Sequence, residues 1–139
     1  MHEDHIREGF AKHTALALVN ASLDVCETGR VVISCPITDA ITNQHDTVHA
    51  GVQCLLADTA SGYTALSCAK QDNVDVVSVE FKMNCLAPAR GTTLRAEATI
   101  VRPGARLAVC QAHVHAIDES NDETLVALMQ STMMIVPRS

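Results

Sequence analysis

From Val74 onward, apolar and polar positions alternate: Val77, Val79, Phe81 and Met83 fall on one face and Ser78, Glu80, Lys82 and Asn84 on the other. A period of two predicts a half-buried strand. Three more strand-like runs follow at 92–101, 107–117 and 124–136, with turns at Arg102-Pro103-Gly104 and at 118–122 between them. Such short connections predict an antiparallel meander of the four strands. Upstream, 49–69 has a different period, with Val52, Leu55, Leu56, Thr59, Tyr63 and Leu66 three or four apart, which predicts the long helix of the chain. Its other positions are unusually small (Ala57, Ala60, Ser61, Gly62, Ala65, Ser67, Ala69), so a close neighbour is expected against it.

Two further strands, 22–27 and 30–37, meet at Thr28-Gly29, a pair that closes a hairpin, and Pro36 ends the second. The stretch 39–47 is polar and reads as loop. Ile6, Phe10, His13, Ala17 and Leu18 predict one amphipathic helix over residues 2 to 19. Two strands, one long small-residue helix and four more strands give an α+β layer in which a sheet wraps a helix, the hotdog arrangement. At 139 residues the chain has enough length for one core, so 1–139 reads as a single domain.

Composition narrows the function. Aromatic residues make up only 2% of the chain, so Val, Leu, Ile, Ala, Met and Cys must fill the core. The net charge of -6 and the lack of any Lys/Arg run argue against nucleic acid as a partner. Six cysteines lie far apart with no C-x-x-C pair, which reads as buried free thiols in a reducing, cytoplasmic setting rather than a zinc or redox site. No window approaches the roughly 20 apolar residues of a membrane span. Neither a G-x-S-x-G elbow nor a phosphate-binding glycine loop occurs.

The chemistry concentrates between Asn43 and Asp58. A helix start offers unpaired N–H groups and the positive end of the helix dipole, which suits an oxygen that gains negative charge; Ala50 and Gly51 are such groups. Asp58, in the middle of an apolar helix, is costly without a partner or a task. His49 lies at the same helix start. His45 and His49, four apart, have no third metal ligand at a known spacing, and no metal is expected. His113 and His115 share a strand face and read as solvated polar positions, and Cys54 reads as core.

The run VHAGVQCLLADTASGYTA resembles the H-[GA]-G-x6-D signature of PaaI-like thioesterases, and VSVEFKMNCLAPARG and the RPGARL turn resemble segments that follow it there. The resemblance spans most of the chain from Ile41 to Val136. It implies that Asp58 is the carboxylate that attacks a thioester or activates water, and that the Ala50 N–H, beside His49, polarises the carbonyl. It also implies that Asn43 orients water and that Ser78 supplies a hydroxyl near the carboxylate. The resemblance further places Arg90, Arg102, Gly104 and Arg106 on stretches that contact coenzyme A, and Gly51, with its N–H at the helix start, is a further expected substrate-binding residue. Asp46 stands where that family often carries Gly, and Ala50 where it more often carries Gly, although the latter role needs only a backbone N–H.

The expected activity is hydrolysis of an acyl-CoA thioester without a cofactor. A hotdog hydratase or dehydratase using His49 and Asp58, and a non-catalytic acyl-CoA binding domain, are the alternatives. Ala50 and Asp58 are separated by about 12 Å along one helix, too far to meet at one carbonyl. The site is therefore expected to be shared across a two-fold axis, in a homodimer or homotetramer. The small residues of the helix and the strand at 74–84 are the expected interface.

Overall fold

The computed structural model describes residues 2–139. Its elements are α1 (Glu3–Ala11), α2 (Thr14–Leu18), β1 (Ser22–Glu27), β2 (Arg30–Pro36), a 3-10 turn (Asp39–Ile41), α3 (Ala50–Ser67), β3 (Val74–Cys85), β4 (Thr93–Pro103), β5 (Leu107–Ile117) and β6 (Glu123–Pro137). The six strands form one antiparallel sheet in the order β1-β2-β4-β5-β6-β3, curled around α3. This is the hotdog arrangement expected.

Three expectations need correction. The N-terminal segment is two helices, not one, with a break at His13, whose ψ of 96° is extended. Ile6 and Leu16 explain it: on one straight helix they would point about 80° apart. The break buries both, in separate apolar clusters.

The second correction is topological. Only β4, β5 and β6 form a meander; β3 pairs with β6 instead of β4 and lies at the sheet edge. The seven-residue link after β3 crosses the end of the sheet, stitched by Leu86 N–H to the Val126 carbonyl and Thr92 N–H to the Ile117 carbonyl. Gly91 makes the crossing possible. Its φ is +139°, and a Cβ there would come within 2.4 Å of the Ile117 carbonyl oxygen.

Third, the small residues of α3 are consumed inside the protomer. Ala57, Ala60, Ser61, Thr64 and Ala65 are buried, and alanines of the sheet (Ala96, Ala98, Ala112, Ala127) are buried opposite them. The Thr64 hydroxyl reaches the Ala98 carbonyl at 3.3 Å, a measure of how close helix and sheet run. The larger residues Val52, Leu55, Thr59 and Tyr63 stay half-buried on the other side. Contact between small faces explains how a core nearly free of aromatics stays packed.

Candidate active site

The loop before α3 is built around one side chain. The Asn43 side-chain oxygen accepts from the His45 N–H at 2.9 Å, the Thr47 hydroxyl at 3.1 Å and the Thr47 N–H at 3.4 Å. With that oxygen engaged by the loop, Asn43 acts first as its organiser. Asp46 takes φ of +57°, the left-handed conformation that Gly adopts freely and Asp tolerates, so its presence leaves the turn intact. The loop is then clamped on both sides: Val48 N–H donates to the Ala89 carbonyl and His49 N–H to the Ile41 carbonyl, each at 2.9 Å.

His49 is the N-cap of α3. Its Nδ1 accepts from the Gly51 N–H at 2.8 Å, which places the ring proton on Nε2. This overturns one expectation: the Gly51 N–H is committed within the protomer and is not open to a ligand. The His49 carbonyl accepts from Val52 N–H at 3.0 Å and Gln53 N–H at 3.3 Å, which turns the following peptide so that the Ala50 N–H points out of the helix end. Among the described residues, that N–H has no acceptor. It opens on a groove of about 630 Å3 lined by Asn43, Gln53, Cys85, Pro88 and Arg90, among others.

Two turns along α3, the half-buried Asp58 receives a 2.6 Å hydrogen bond on Oδ1 from the Ser78 hydroxyl. Ser78 reaches it because β3 carries a bulge: the register with β6 slips between Ser78 and Glu80. Before the bulge Val76 and Ser78 face α3; after it the parity changes, and Met83 meets Cys54, with sulfur atoms 3.8 Å apart. Ser78 is thus on the helix side with Met83, not on a polar face with Glu80 and Lys82. Glu80 pairs instead with the Thr132 hydroxyl on the far side of the sheet. Burial pushes the Cys54 thiol up in pKa, and the nearby Cys85 and Asp58 add to this, so Cys54 is the neutral wall of the carboxylate's surroundings.

The sequence profile of the thioesterase superfamily matches residues 45–121, the stretch that holds both the open N–H and the carboxylate. A thioesterase family protein from Silicibacter pomeroyi is 35% identical and superposes with a TM-score of 0.91 over 95% of this chain and 96% of that one. The chain belongs to the thioesterase superfamily. The resemblance to PaaI-like thioesterases is therefore borne out at the level of family and fold. Escherichia coli PaaI shares the fold at 19% identity, with a TM-score of 0.81 over 96% of this chain and 91% of its own. A Bacillus halodurans protein, solved with CoA, does so at 24% identity, with a TM-score of 0.76 over 94% of this chain and 80% of its own.

Within this thioesterase-superfamily fold, the remaining expected residues fall at opposite ends. Arg90 lies beside the Ala50 groove, its guanidinium 3.4 Å from the His45 carbonyl oxygen. Arg102, near the end of β4, and Gly104 and Arg106, on the β4–β5 turn, lie at the other end of α3, where Gln71 holds the Ala105 carbonyl at 2.9 Å. One protomer does not bring them to Ala50. Gly104 is explained by packing, since a Cβ there would lie 2.0 Å from the Leu107 carbonyl oxygen. Cys85, expected to be buried, is exposed and lines the groove. No group of three His, Cys, Asp or Glu side chains gathers to hold a metal, and no helix is long and apolar enough to cross a membrane, among the described residues.

Sequence reasoning missed Gln53. It is only 4% exposed; its side-chain N–H donates to the Val48 carbonyl at 3.2 Å, and its Oε1 is buried with no partner among the described residues. A buried orphan acceptor costs about 1–3 kcal/mol. The available signal was a Gln on the sheet-facing stripe of α3, in line with Leu56, Ala57 and Ala60.

Proposed function

We propose that the chain, as a single domain over residues 1–139, hydrolyses acyl-CoA thioesters in a site completed by a second copy. The observation that carries this is the pairing of two groups unfinished among the described residues: an Ala50 N–H with no acceptor and an Asp58 carboxylate held at one oxygen. Along α3 they are about 12 Å apart. The Ala50 N–H donates to the thioester carbonyl oxygen and stabilises the negative charge that develops there. Asp58 of the second copy then acts in one of two ways. It attacks the carbonyl carbon, expelling the CoA thiolate and leaving a mixed anhydride that water cleaves, or it takes a proton from the water that attacks. Both routes end in free acid and CoA.

A shared site needs a seam, and β3 supplies one. It is an edge strand, its backbone unpaired on one side, and it exposes Val77, Val79 and Phe81 at 49%, 53% and 44%. An apolar open edge invites pairing with another strand. Two β3 edges paired antiparallel set two α3 helices side by side in opposite directions, which brings one N-terminus toward the other's Asp58. That reversal also carries the turn with Arg102, Gly104 and Arg106 toward the partner's Arg90 groove, where cations suit the phosphates of CoA. The hydratase alternative fares worse. With Nδ1 spent on Gly51, His49 presents Nε2–H, a donor and not a base.

Thiol release from a panel of short, long and aromatic acyl-CoAs tests the activity, and silence on all of them sinks it. The shared site is tested by mixing two inactive variants, Asp58→Asn and Ala50→Pro. Pro removes the N–H where a helix start tolerates it. In a heterodimer one site carries both lesions and the other neither, so co-refolded equal amounts should recover about a quarter of parental turnover. Heterodimers as inactive as the separate variants would place the whole site in one subunit.

A further inference from the structure

Gln53 is an expensive choice for its position. It sits on the sheet-facing stripe of α3, where Leu or Met would bury cleanly, and it leaves Oε1 without a partner among the described residues. The orientation of the amide is not arbitrary. Reversing it would set Oε1 against the Val48 carbonyl oxygen, two acceptors in contact. What the residue accomplishes is local: its side-chain N–H holds the Val48 carbonyl and its backbone N–H holds the His49 carbonyl. Those two carbonyls belong to the two successive peptides that lead to the Ala50 N–H.

We propose that Gln53 is a positioning residue for carbonyl polarisation, fixing the Val48–His49–Ala50 turn so that the Ala50 N–H is aimed at the substrate oxygen. This deepens the proposed function and rests on the role given there to Ala50. His49 completes the device from the other side, because its ring removes the competing Gly51 N–H and leaves the Ala50 N–H as the open donor of the helix start. A donor that must meet an oxygen as charge develops needs its direction set beforehand; misplacement by about 1 Å costs on the order of 100-fold in rate. The orphaned Oε1 is the stability given up for that aim.

The trade has a signature that a structural role lacks. Gln53→Met keeps shape and removes both the donor and the orphan acceptor. It should leave the melting temperature unchanged or higher, lower kcat by about 10- to 100-fold and hold KM within about twofold. The aim itself is read with an acyl-CoA ketone in which CH2 replaces the thioester sulfur, its carbonyl carrying 13C. Bound to the parent, the C=O stretch should move to lower wavenumber, and in Gln53→Met most of that shift should be lost. A parent with no shift overturns the Ala50 reading, and this inference with it. A shifted parent matched by an equally shifted, fully active Gln53→Met overturns the inference alone, as does a variant that melts lower and loses kcat and affinity together. Gln53→Glu is a second test should Gln53→Met fail to fold. Its carboxylate repels the Val48 carbonyl, whereas its protonated form donates to it, so the variant-to-parent kcat ratio should rise as pH falls. Groups that both proteins share, His45, Cys85 and Arg90 around the groove together with His49 at the helix start and the carboxylate of Asp58 in the second copy, cancel in that ratio; a flat ratio counts against the proposal.

Discussion

The two ends of α3 are built on opposite terms. At the C-terminal end the chain turns back on itself: Cys68 and Ala69 N–H groups donate to the Ala65 and Leu66 carbonyls, and His2 reaches the Ala69 carbonyl at 3.0 Å. The Ser67 hydroxyl both donates to Thr64 and accepts from Gly29. At the N-terminal end the Ala50 N–H is open and Gln53 Oε1 is orphaned, and further along the helix Asp58 has one oxygen engaged. Unfinished polar groups are costly, and proteins concentrate them where a ligand completes them. The helix is anchored at one end so that the other can stay incomplete.

If that division holds, substitutions at the two ends should separate activity from stability. The largest effect is expected from Asp58→Asn, which keeps the shape and the Ser78 hydrogen bond but removes the basic and nucleophilic oxygen. Turnover should fall by about 1000-fold or more with the melting temperature little changed. Activity within about tenfold of the parent would show a structural Asp58. The mirror case is Leu66→Ala. Leu66 is 2% exposed in the cluster with Ile6, Cys26, Ala69 and Val74, so truncation should cost about 2–5 kcal/mol by chemical denaturation. The kcat of the protein that remains folded should be unchanged; a large loss of kcat would show that the two ends are coupled.

The sequence carried some of this division and hid the rest. Helix α3 was legible because Val52, Leu55, Leu56, Thr59, Tyr63 and Leu66 recur three or four apart, and Asp58 was legible because a carboxylate in an apolar helix stands out. The bulge in β3 was not, since Val77, Val79, Phe81 and Met83 alternate without interruption across it, and only pairing with β6 shows where the extra residue falls. Alternation alone therefore grouped Ser78 with Glu80 and Lys82 although it faces α3, and only the family resemblance set it near the carboxylate. The partner of β3 was hidden for a related reason: a seven-residue link fits a hairpin or a crossing, and the choice lies in contacts far away along the chain. Gly51 shows a finer limit. A helix start announces free N–H groups, but which one the preceding His ring takes is decided by side-chain geometry.

The smallest expected effect is the most direct probe of the comparison, because it repeats the chemistry of Gln53→Met at the closed end. Ser67 is 8% exposed; its hydroxyl donates to the Thr64 carbonyl at 2.6 Å and accepts from the Gly29 N–H at 2.9 Å. Ser67→Ala strands the Gly29 N–H in the β1–β2 turn, at a cost of about 1–2 kcal/mol. Ala is the better helix former by about 0.5 kcal/mol, which offsets part of that loss. A net destabilisation of about 1 kcal/mol should lower the melting temperature by about 3 °C. Turnover should stay at the parental value, since Ser67 lies at the other end of α3 from Ala50. Each of the two substitutions deletes one buried side-chain donor from the same helix. In the parent the Ser67 hydroxyl meets both of its partners whereas Gln53 leaves its own Oε1 unmet, so the closed end should lose stability and keep rate while the open end keeps stability and loses rate. Equal responses at both ends would mean that the asymmetry of α3 has no functional content.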